Sequence, residues 1–77
     1  MADPGATIRK HSVMLAGHRT SVSLEDAYWS ALKQIAKTDG RSLNDLVAEI
    51  DRVREGNLSS ALRVFVLRRL QGAASGG

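Results

Sequence analysis

The chain of 77 residues contains no cysteine. Disulfides and thiolate metal sites are therefore excluded, and two histidines by themselves make a poor metal cage. The same lack fits a reducing cytoplasm. No stretch approaches the roughly 18 continuous apolar residues of a membrane span, so no membrane partner is expected. The opening residues, MADPGATIRKH, lack the apolar core of a signal peptide. There is no glycine loop of the phosphate-cradling kind, and Ser, His and Asp form no nucleophile–base–orienter set. An enzyme is not expected, and neither is a cofactor. Trp, Tyr and Phe occur once each. Tyr28 and Trp29 fall on the apolar stripe of a predicted helix, which favours a core role over base stacking.

A chain this short also lacks volume. It buries a marginal core, and with disulfides and metal removed, a partner chain is the remaining way to complete it.

Charge is present in modest excess and unevenly spread. The net charge is +3. Residues 1–24 carry +2, residues 25–56 carry −2 and residues 57–77 carry +3. Positive ends around an acidic middle suit a polyanionic partner, or ordinary solvation.

Residues 1–8 show no periodic pattern and read as a disordered arm. Residues 9–71 read as one folded domain, and 72–77, GAASGG, as a flexible tail. Arg9 to Leu15 predicts a first strand, with Val13 and Leu15 on one side, followed by a turn at Ala16-Gly17-His18-Arg19. In HRTSVSLE, residues 18–25, Thr20, Val22 and Leu24 alternate with Arg19, Ser21 and Ser23. That is the pattern of a half-buried strand. A helix is predicted from about Glu25 to Thr38, with Tyr28, Trp29, Leu32, Ile35 and Ala36 on one face, ended by Asp39-Gly40. A second starts at the N-cap Ser42 and runs to about Arg54, with Leu43, Leu46, Val47, Ile50 and Val53 as its stripe. A third opens after Asn57, or at Ser59 or Ser60, and ends near Gln71. Its apolar residues, among them Leu62, Phe65 and Val66, spread over most of its circumference, as in a helix buried from several sides. One chain of this length cannot surround such a helix, so an intertwined homo-oligomer is expected. Its core would hold Val22, Leu24, Trp29, Leu32, Leu46, Ile50, Leu62, Phe65 and Val66.

A lone strand exposes unpaired backbone groups on both edges. Pairing with the same strand of a second chain places Thr20, Val22 and Leu24 on the helices and Arg19, Ser21 and Ser23 outside, twice, about a two-fold axis. A ribbon with short polar side chains fits a DNA major groove about 12 Å wide, where arginine bonds guanine and serine serves either base type.

This arrangement resembles the ribbon-helix-helix DNA-binding proteins. HSVMLAGHRTSVSLEDAYWSALKQIA, SLNDLVAEID and NLSSALRVFVLRRL are similar to a group of short bacterial members of presumed DNA-binding function, over about residues 9–71. The resemblance implies a mainly α fold with a short N-terminal β ribbon, and a bacterial cytoplasmic dimer that represses transcription. Two departures stand out. There is an extra helix, so that either GRSLNDL or GNLSSAL could supply the family's phosphate-binding helix start. Arg41, Ser42 and Ser59 are the candidates there. There is also a possible extra strand. Four strands across a dimer span roughly 15 Å, more than the groove width of about 12 Å. Either the first strand folds away, or DNA is not met in the usual family manner. Arg9, Lys10 and His11 form a basic cluster, read as a phosphate contact or as a solubilised strand edge. Two functions compete: a DNA-binding regulator, and a protein-interaction module, antitoxin-like or structural, that does not read DNA.

Overall fold

The computed structural model describes residues 3–75, with strands β1 (Ile8–Leu15) and β2 (His18–Glu25) and helices α1 (Asp26–Thr38), α2 (Leu43–Val53) and α3 (Leu58–Ser75). The two strands form one antiparallel hairpin, paired from Ile8↔Glu25 to Leu15↔His18. Its turn is only Ala16-Gly17, with φ of 53° and 81°. Two left-handed residues in a two-residue loop match the twist of the flanking strands.

α1 has no side-chain cap at Glu25. Instead the Asp26 N–H donates to the Thr7 carbonyl at 2.8 Å, so the residue before β1 satisfies a helix-end donor. Gly40, at φ 67°, closes the other end. Arg41 N–H bonds the Ala36 carbonyl and Gly40 N–H the Lys37 carbonyl, at 3.0 and 3.1 Å. The Ser42 hydroxyl accepts from Asp45 N–H at 3.0 Å and caps α2, and Asn57 Oδ1 accepts from Ser60 N–H at 2.9 Å and caps α3.

The inner face of the hairpin lies on the helices. Val13, Val22 and Leu24 are buried with Leu32, Ile35, Ala36, Leu46, Val47, Ile50, Leu62 and Val66. Trp29 and Phe65 are half-buried against that core. Thr20, expected inside, shares the inner face but is exposed. The protomer thus covers one side of α3. Away from that side Val64 and Leu67 remain 44% and 51% exposed, and Leu70, one turn beyond Val66, 56%.

Three expected boundaries change. The arm expected over residues 1–8 contains a 3-10 turn, Pro4–Ala6, capped by Asp3 Oδ1 on Gly5 N–H at 2.9 Å. Proline at the first position suits such a turn. The turn rests on α1 so closely that a Cβ on Gly5 would lie 3.1 Å from Ala27 Cβ. Ile8, placed in the arm, opens β1. The expected tail begins as helix, since α3 runs to Ser75 through Ala73 and Ala74, strong helix formers that outweigh Gly72. Residues 1–2 and 76–77 of the expected arm and tail lie outside the described residues.

β1 is fastened to α2. The Asn44 side chain accepts from Met14 N–H at 2.8 Å and donates to the Met14 carbonyl at 3.0 Å. This pair of bonds imitates a neighbouring strand. Asn44→Ala is expected to cost roughly 1–2 kcal/mol for two exposed bonds. It should also speed hydrogen exchange at the Met14 amide while leaving the Val13 amide, inside the hairpin, protected.

Candidate nucleic-acid interface

The two-residue turn decides which side chains share the outer face. Met14 stands opposite Arg19, Ser12 opposite Ser21, and Lys10 opposite Ser23. Paired residues point the same way, and successive residues point oppositely. Lys10, Ser12, Met14, Arg19, Ser21 and Ser23 therefore lie together, and all are exposed. The centre of this face holds three small hydroxyls, with Arg19 and Lys10 toward opposite ends. Among the described residues neither Lys10 nor Arg19 makes an ion pair. Glu25 ends the same row, and there the Arg63 guanidinium bonds it at 2.9 Å. That hydrogen bond holds the Glu25 carboxyl below the usual carboxylate range. The one acid of the row is thus matched by a cation from α3.

Strand alternation splits the basic cluster expected at residues 9–11. Only Lys10 faces outward. Arg9 bonds the Asp26 carboxylate at 2.9 Å. His11, across from Val22, stacks on Trp29 with ring centroids 3.8 Å apart. Its Nε2 is buried and has no hydrogen-bond partner among the described residues. Burial pushes the His11 pKa below its ordinary value against the attraction of Asp26, and Lys33 and Arg9 push the same way. The ring is thus a neutral packing group at pH 7 rather than a phosphate contact.

The helix-start candidates are engaged within the protomer. Arg41 bonds the Glu49 carboxylate and, at 3.1 Å, the Asp45 carbonyl. Ser42 is occupied as the α2 cap. The Ser59 hydroxyl donates to the Ser23 carbonyl at 2.7 Å, which brings the start of α3 to the free edge of β2. The start of α2, through Asn44, meets the free edge of β1. The two helix starts therefore flank the hairpin, one on each side. Arg19, Ser21, Ser23 and Lys10 come together; Arg9, Arg41 and Ser42 do not join them; Ser59 stands at their margin.

Ser12 and Met14 are members of this face that alternation in β2 did not identify. A two-residue turn read at Ala16-Gly17 would have found them, because it fixes the register.

The model of a ribbon-helix-helix domain matches residues 8–70, from the first residue of β1 almost to the end of α3. The chain belongs to the ribbon-helix-helix family. Within that family pattern, the hairpin takes the place of the ribbon and three helices follow, one more than the family name describes. A solved structure, that of an uncharacterized protein from Bordetella pertussis Tohama I, is similar over 95% of this chain, with a TM-score of 0.83 and 32% identity. The chain spans 63% of that protein's length. A comparison with curated proteins finds no match.

Proposed function

We propose that this ribbon-helix-helix protein is a bacterial cytoplasmic regulator that binds double-stranded DNA as a homodimer, with the outer face of its sheet toward the major groove. The carrying observation is the shared exposed face of Arg19, Ser21, Ser23, Ser12 and Lys10, with small hydroxyls between its two cations. Domains of this family are typically DNA-binding. Small hydroxyls let the backbone approach base edges, and Arg19 is the longest donor among them. The dimer joins through the free edge of β2 and the exposed stripe of α3. On β2 that edge presents the backbone groups of Arg19 and Ser21, with Ser59 taking only the Ser23 carbonyl at its end, whereas on the β1 edge Asn44 takes both backbone groups of Met14.

Arg19→Ala is expected to weaken binding to a preferred sequence by roughly 1–3 kcal/mol, the range of one good two-bond base contact. Oligomer mass should not change. Titration of the variant against preferred and scrambled duplexes checks this. Equal affinity for both, with Arg19 present or absent, contradicts it.

A second reading, a protein-interaction module, draws on a different feature. A groove of about 800 Å³ between α2 and α3 is lined by Val53, Ala61, Val64 and Phe65, with Arg54 and Arg68 among its other lining residues. An apolar partner surface there would bind with little salt dependence, the opposite of a phosphate contact.

A further inference from the structure

We infer that β1 is a second DNA-contacting strand, with Lys10 and Ser12 meeting the phosphate backbone while β2 faces the bases. This rests on the reading that the outer face of the sheet lies against DNA. The first observation is that β1 is held in place. It pairs with β2 along its whole length. Asn44 binds both backbone groups of Met14 at one end. At the other, Arg9 bonds Asp26 and Thr7 bonds the start of α1. A strand fixed at both ends does not peel away to leave a narrower ribbon.

The second observation is width. Joining two hairpins through β2 gives the order β1-β2-β2-β1, with outer strand axes roughly 15 Å apart. A major groove of about 12 Å admits the central pair and leaves each β1 above a groove wall. Those walls are phosphate. The third observation is what β1 presents there. Lys10 supplies a cation and Ser12 a hydroxyl, both exposed and on the same face as Arg19 and Ser21. An ammonium suits phosphate as a point charge, and a hydroxyl donates to a phosphate oxygen. Because Ser12 is directly opposite Ser21, a duplex that touches one lies beside the other.

The chain has no cysteine, so Ser12→Cys, Ser21→Cys and Ser30→Cys each introduce a single thiol. Ser30 is exposed on α1, the helix behind the sheet. Each variant is labelled with a photoreactive aryl azide and irradiated with mixed-sequence double-stranded DNA at low salt. The Ser12 and Ser21 variants are expected to crosslink comparably, and the Ser30 variant not to. In parallel, Lys10→Ala should lower the log–log salt slope by about 0.9 for each copy in the complex and weaken all sequences alike. Crosslinking from Ser21 but not Ser12, together with an unchanged slope in Lys10→Ala, overturns the role of β1 and leaves the proposed function standing. Crosslinking from neither serine overturns both.

Discussion

Val22→Asp is expected to unfold the protein, whereas Ser21→Ala, one residue away, is expected to melt like the parent. Val22 is 4% exposed and packs with Leu24 and the helices, while Ser21 is on the open face. An aspartate at position 22 would bury a carboxylate beside apolar side chains. Its neighbour across the hairpin, His11, is itself held neutral by burial. An unpaired buried charge costs several kcal/mol. A small domain has about 5–15 kcal/mol in all, and one with this little core lies toward the low end. Circular-dichroism melts of both variants decide the matter. A normal melt for Val22→Asp and loss of structure in Ser21→Ala would mean that the hairpin presents its other face to the helices, and the proposed DNA surface would go with it.

Leu67→Glu is expected to dissociate the proposed dimer. In a single protomer Leu67 is half exposed, and Leu62 and Val66 on the opposite side of α3 carry the packing inside the chain. If the protein worked as a monomer, the change would be a surface substitution within about 0.5 kcal/mol of neutral. In the dimer, each copy would lose the burial of a leucine, worth roughly 1.5–3 kcal/mol, and gain a desolvated carboxylate. Two copies per dimer double the loss. Glutamate favours helix, so the effect is not one of helix propensity. Sedimentation or light scattering at micromolar concentration should report a smaller species with a lowered melt. Unchanged mass and melt would place the partner elsewhere than on the Leu67 face.

Much of the architecture can be read from residue order because its signals are local. Alternation in β2, the Ser42 cap and the Gly40 stop each depend on a few neighbouring residues, whereas the start of α3 stood open between Asn57, Ser59 and Ser60 until the Asn57 cap decided it. Alternation in β1 puts Val13 and Leu15 on one side, and both pack on the core. What lies opposite each β1 residue depends on register, and register depends on a turn in which Ala16, a residue that seldom adopts positive φ, does so. Spread over four residues, as the sequence suggested, the turn leaves the cross-strand partners of β1 unassigned. The basic residues divide in the same way. Lys10 and Arg19 belong to the open face by parity with Ser23 and Met14. Arg9 and Arg41 look equally cationic in sequence, yet Asp26 and Glu49 meet them in space. Those pairings come from the packing of β1 on α1 and from the reach of a loop over α2. The last turn of α3 was obscured by Gly72, while the alanines that follow it sustain the helix.

The most direct test of a dimer that sets its sheet on DNA is one titration performed at two salt concentrations, with mass recorded alongside. In the proposed complex the Lys10 of each of two chains is directed to phosphate. Affinity for mixed genomic fragments should therefore fall by at least about 10-fold between 50 and 200 mM salt. The protein should have the mass of a dimer at both concentrations. A compact monomer, or a protein that fails to bind DNA at the lower salt, would contradict the account.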